Sequence, residues 1–214
     1  SLILLRDVTE LRLRERELVS KNATIREIHH RVKNNLQTVA ALLRLQSRRI
    51  QNPEAREALV EAEQRVGSIA LVHETLSQSF DETVEFDSIA DTLLRTVLEV
   101  GGSAVRGQRI GSFGALPAEV ATPLAMVLTE LVQNAVEHAF GPTGGRVTIA
   151  VNRIRNRIRM RISDDGRGLP DDFDPTHSLG LSIVSTLVQG ELAGNLSYET
   201  PPTGGTTVTI EWSV

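Results

Sequence analysis

Residues 157–170 read RIRMRISDDGRGLP, and residues 147–154 ahead of them read VTIAVNRI. Apolar and polar side chains alternate through both stretches, which predicts a pair of strands with one buried face each. The second strand runs directly into a D-x-G-x-G pattern whose first acid is Asp164 and whose glycines are Gly166 and Gly168. Glycine at those two places lets the backbone come close to a bound group. Alone, the pattern is equally an ordinary turn between strands, so its weight comes from what surrounds it.

Upstream lies TELVQNAVEH, residues 129–138, with Pro117 placed to suit the first turn of its helix. Glu130, Asn134 and His138 fall at i, i+4 and i+8 and share one helical face. Leu128, Leu131, Val132 and Ala135 pack the opposite faces. Downstream, SLGLSIV (178–184) puts Ser178, Leu179, Gly180 and Leu181 where a loop becomes a helix, and the free N–H groups of such a start bind phosphates. Asp171 to Ser178 then forms a short lid, with Phe173 as its candidate anchor. A helix over LSIVSTLVQGELAG ends at glycine, and LSYET and TTVTIEW read as closing strands. Asp87 or Ser88 caps a helix over 88–99. Helices and largely antiparallel strands in this order predict a two-layer α/β sandwich over residues 84–214.

The first part of the chain follows a different rule. Leu11, Leu18, Ile25, Val32 and Val39 recur every seven residues, the spacing of a helix packed against a partner helix. Pro53 breaks that helix, and a second amphipathic run follows with Leu59, Ala62, Val66, Ile69 and Leu76. Two long helices and a short turn make a hairpin over residues 10–80. One hairpin buries too little by itself, so two of them, in a homodimer, complete a four-helix bundle. The fold class is therefore α+β: a helical hairpin followed by the sandwich. Residues 1–9, SLILLRDVT, read as a strand and exit linker of a preceding PAS-like sensor domain, or as an ordinary N-terminal strand.

Within the hairpin, EIHHRVKNNLQ (27–37) places two histidines side by side. At about 100° per residue, His29 falls within roughly 50° of the apolar direction and His30 about 150° from it. His30 is thus the exposed imidazole, largely neutral and nucleophilic near pH 7 because its ordinary pKa is about 6.5. His29 packs at the edge of the bundle. Asn34, one turn beyond His30, orients its ring. Arg31 and Lys33 are placed to steady an incoming phosphoryl charge, and Glu27 is the nearest acid.

HHRVKNNLQ followed by LLRLQ resembles the sensor histidine kinases whose acceptor helix carries HRVKN, close to the HWE group. From the D-V-T-E linker to its end the chain is similar to actinobacterial PdtaS-type kinases. The resemblance implies a GHKL-type ATPase sandwich using ATP and Mg2+, with His30 as phosphoacceptor. It implies that Asn134 ligates the metal with Glu130 as its acidic companion, and that Asp164 accepts from the adenine amino group. His138 takes over a phosphate contact, because Glu137 stands where many kinases carry lysine, and Thr206 touches the phosphates. It also implies phosphotransfer to a response regulator receiver domain, possible outputs including an RNA-binding antiterminator. The alternatives are a serine kinase of the anti-sigma type and a dimeric scaffold that binds nucleotide without transfer.

Bulk properties narrow the rest. The 214 residues carry a formal net charge of -4 and 3% aromatics, which gives no electrostatic or stacking basis for direct nucleic-acid binding. No apolar run approaches the ~20 residues of a membrane span. With zero cysteines, disulfides and thiolate metal sites are excluded, and the chain fits a reducing cytoplasm.

Overall fold

The computed structural model of this protein describes residues 31–32, 34–76, 83–100 and 104–214. His29, His30, Glu27, Lys33 and the segment read as a sensor-domain exit lie outside these residues. Two helices open the described part: α1 over 34–47 and α2 over Pro53–Leu76. Asn52 starts α2, its side-chain oxygen accepting from the Ala55 N–H at 3.2 Å, with Pro53 next to it where a missing N–H costs nothing. An ion pair between Arg44 and Glu63 ties the two arms together.

The sandwich follows. Its strands are β1 (Thr83–Glu85), β2 (Arg106–Ile110), β3 (Ala115–Pro117), β4 (Arg146–Ile154), β5 (Arg157–Asp164), β6 (Asn195–Glu199) and β7 (Thr207–Ser213). Its helices are α3 (Phe86–Val100), α4 (Ala118–Asn134) and α5 (Leu179–Thr186). β2, β4, β5, β7 and β6 lie side by side in that order, antiparallel except for the β2–β4 pair, while β1 and β3 form a small separate ribbon. Ile149 pairs with Ile162 and Val151 with Met160, so the alternation in both strands puts one apolar row inward. Arg157, Arg159 and Arg161 therefore stand on the open face. The inward row meets Leu124, Leu128 and Val132 of α4 in one core, where Phe86 and Phe113 are fully buried and stack edge to face at 5.0 Å.

Three expectations change in detail. The helix expected over 88–99 begins at Phe86, so Asp87 lies inside its first turn and does not cap it. Its carboxylate instead accepts from the backbone N–H groups of Phe113 (2.9 Å) and Gly114 (3.3 Å) and from the Ser112 hydroxyl, with Arg109 3.0 Å away. Pro117 stands just ahead of α4 rather than in its first turn. The hairpin is also less separate than its composition suggests, since Val72 of α2 joins the sandwich core.

Burial alone would raise the Asp87 carboxyl, but the Ser112 hydroxyl, the two N–H groups and Arg109 together hold it below the usual range. A depressed folded-state value stabilises the fold at pH above about 4 and loses that contribution as pH falls through it. Asp87→Asn should therefore cost about 1–3 kcal/mol at neutral pH. In chemical denaturation the gap to the unmodified chain should close in acid.

Candidate nucleotide site

A cleft of about 450 Å3 opens between the C-terminal end of α4, the end of β5 and the segment leading into α5. Asn134 and His138 enter from the α4 side, Ile162 and Asp164 from β5, and Tyr198, Thr206 and Val208 from the last two strands. Gly168 to Pro170 and Asp172 to Asp174, together with Ser178 and Leu181, close the remaining side.

Asp164 is built into the floor by backbone geometry. Its Oδ1 accepts from the N–H of Gly166 at 2.9 Å and of Thr206 at 3.2 Å, and its own N–H donates to the Thr206 carbonyl at 2.9 Å. Gly166 is required there: a Cβ would sit 2.3 Å from the Ala139 carbonyl oxygen. Gly205 is required too, with φ of 78° and the Asp164 carbonyl 1.9 Å from where its Cβ would be. Burial pushes the Asp164 carboxyl up, against the lowering effect of the Gly166 and Thr206 donors, and neighbouring Asp165 adds to the rise.

Asn134 ends α4 and its Nδ2 is buried without a hydrogen-bond partner. An orphaned buried amide costs stability, so its place in the cleft wall fits a polar ligand. After it the helix widens into a π turn over Ala135–Ala139. Such single turns recur at functional sites, and this one brings His138 and Ala139 to the cleft. The apolar walls Leu131, Ile162 and Val208 suit a flat base, and the Asn134 amide oxygen is a hard donor of the kind magnesium takes alongside phosphates and water. The residues fit Mg-ATP.

Not every expected residue arrives. Ser178 caps α5, its hydroxyl accepting from the Leu181 N–H at 3.4 Å, and both line the cleft. Leu179 points outward with 59% of its surface exposed. Gly180 faces away from the cleft, against Glu130. Glu130 itself is not in the cleft wall: its carboxylate meets Arg65 of α2, so the structure does not join it to Asn134 as a metal ligand pair. Asn34 lies exposed on α1. Sequence reasoning also missed residues that the cleft uses. Tyr198 packs edge to face with Phe173 at 5.3 Å, which pins the lid segment to β6, and burial pushes its hydroxyl up to about 12. Alternation on β6 signalled that Tyr198 faces inward, but not what it meets. Arg167 lines the cleft between the two motif glycines.

Comparison with known proteins agrees with this geometry. A profile described as histidine kinase matches residues 27–100, and one described as histidine kinase-, DNA gyrase B-, and HSP90-like ATPase matches residues 119–214. The chain belongs to the histidine kinase family. It is 54% identical to sensor histidine kinase PdtaS of Mycolicibacterium smegmatis, over 97% of this chain and 43% of that protein. The same kinase from Mycobacterium tuberculosis is 53% identical, again over 97% and 43%. The chain thus spans less than half the length of these relatives. The structure of the Erythrobacter litoralis EL346 blue-light activated histidine kinase superposes with a TM-score of 0.64 at 26% identity, covering 91% of this chain and 63% of that one. No helix among the described residues is long and apolar enough to cross a membrane.

Asp164→Asn should weaken Mg-ATP binding by about 5- to 150-fold, the equivalent of ~1–3 kcal/mol for an acceptor lost beside a buried amine. Protonation does the same to the unmodified chain. Calorimetric affinity should therefore begin to fall, on acidification, at a pH above the ordinary Asp value of about 3.9.

Proposed function

We propose that this chain autophosphorylates on His30 from Mg-ATP bound in the sandwich cleft and then passes the phosphoryl group to an aspartate of a response regulator receiver domain. The observation that carries this reading is the orphaned Asn134 amide in the wall of a cleft whose floor is the Asp164 carboxylate. In the transfer, a ring nitrogen of His30 bonds to the γ-phosphorus as the bond to the bridging oxygen breaks, and ADP leaves. Positioning and charge neutralisation supply most of the catalysis in such reactions. Asp164 holds the adenine, Leu131, Ile162 and Val208 sandwich it, and the start of α5 faces the phosphates. Asn134 would hold a magnesium ion, which would supply positive charge to the phosphates. His138, Thr206 and Arg167 make polar contacts in the same cleft, and Asn34 orients the His30 ring. An RNA-binding antiterminator is one output such a regulator can carry, and the setting we propose is cytoplasmic.

A second copy of the chain completes the hairpin. Val39, Leu42, Leu45 and Val60 are exposed by 43%, 55%, 52% and 40%, an apolar surface that a homodimeric four-helix bundle would cover.

Incubation with radiolabelled ATP should yield a phosphoprotein that is acid-labile and base-stable. His30→Gln should abolish labelling while ATP still binds, and His29→Gln should retain substantial labelling. Label that survives in the His30 variant and disappears in the His29 variant would reverse the assignment; an acid-stable phosphoserine would point to the serine kinase class.

Assembly has its own readout. Light scattering on the unmodified chain should report a dimer at micromolar concentration. Val39→Glu, which puts an unpaired charge in the seam, should dissociate it without loss of ATP binding. A monomeric unmodified chain would end the dimer assignment.

A further inference from the structure

The ion pair between Arg65 and Glu130 joins the helical hairpin to the helix that carries Asn134. Arg65 Nε stands 3.1 Å from Glu130 Oε1, with only 9% and 12% of the two side chains exposed. Charges drawn that far from water attract each other strongly, and so hold their two helices in a narrow range of geometry. Ile69 and Val72 of α2, Met126 of α4 and Ile183 of α5 close around them, leaving a void of about 20 Å3.

The pair also supports the lid end of the cleft. A Cβ on Gly180 would lie 1.8 Å from Glu130 Oε1 and 3.0 Å from Arg65 Nη2, so the first turn of α5 rests directly on the two charges. Ser178 and Leu181, on either side of Gly180, line the cleft. On α4, Asn134 stands about one turn beyond Glu130. Two walls of the nucleotide cleft are thus seated on a contact made by the acceptor hairpin, although Arg65 does not itself line the cleft.

We propose that Arg65 is a positioning residue: through Glu130 and Gly180 it couples docking of the hairpin on the ATP-binding domain to the shape of the nucleotide cleft. This deepens the kinase reading and rests on it for the class of ligand. The coupling is reciprocal, so the factor by which docking favours nucleotide is the factor by which nucleotide favours docking. The contact has little slack, and tightly packed interfaces of this kind shift between discrete arrangements rather than deforming smoothly.

The test uses Mg-AMP-PNP as the probe. Its affinity is measured by calorimetry for the unmodified chain, Arg65→Gln and Arg65→Lys, together with backbone hydrogen exchange over residues 60–72 with and without the probe. Arg65→Gln should weaken affinity by about fivefold or more, the lower end of ordinary coupling factors, and Arg65→Lys should recover most of the loss. The probe should slow exchange in residues 60–72 of the unmodified chain, and that effect should vanish in Arg65→Gln. An Arg65→Gln protein with a lower melting temperature and unchanged affinity would reduce the pair to structural glue and overturn the proposal. So would unchanged exchange in the unmodified chain, a measurement that needs no variant to fold. If the unmodified chain binds no Mg-AMP-PNP at all, the kinase reading fails first and the coupling with it.

Discussion

The burial of α4 is the constraint on which the rest of the structure depends. Leu124, Val127, Leu128 and Val132 are each fully buried, and Leu131 nearly so, with sheet, α3 and α2 packed around them. Interiors at crystal-like density do not let such a helix slide or rotate without opening cavities. The polar residues it carries are therefore held in fixed directions. Glu130 is directed at α2, and Asn134 stands in the cleft wall. The π turn that follows inserts one extra residue per turn and brings His138 to the same cleft. One apolar helix thus sets the position of two polar residues of the cleft wall and of an ion pair with α2.

The floor of the cleft illustrates a second kind of constraint, made by the backbone rather than by side-chain packing. Three segments converge on Asp164: its own strand, the turn at Gly166 and the return of the chain at Gly205 and Thr206. They come so close that a single Cβ at either glycine would strike a carbonyl oxygen. The N–H groups that this approach delivers orient the carboxylate and favour its charged form, while burial acts in the opposite direction. The site keeps a hydrogen-bond acceptor in a partly dry place, which suits recognition of a base by its amino group. The lid segment meets β6 through the contact of Phe173 with Tyr198, and within the segment the Asp174 carboxylate accepts from the Thr176 N–H at 2.8 Å.

Much of this was readable from residues 129–184. Strict alternation in VTIAVNRI and RIRMRISDD determined the central strands and which side of each faces inward, because a strand presents successive side chains to opposite faces. The same period accounts for Arg157, Arg159 and Arg161 on the open face. Asn134 was singled out by its spacing with Glu130 and His138, and Asp164 by the D-x-G-x-G pattern; the structure sets both in the wall of one cleft. The first family match, over residues 27–100, runs past the hairpin as read from sequence (10–80) and takes in α3, while the second covers 119–214.

Contacts between elements distant in the chain were not legible. The spacing of Glu130, Asn134 and His138 put all three on one face, and that holds for an isolated helix. It could not foresee that Arg65, 65 residues earlier in sequence, would claim Glu130, or that Gly180 would fill the space beside it. Nor could it place Asp87, which looks like a helix cap in sequence but serves a loop 26 residues away. Local periodicity and turn chemistry act within a few residues and so can be read from the sequence. Which charge finds which partner depends on how the layers stack, and burial makes that choice only once the chain has folded.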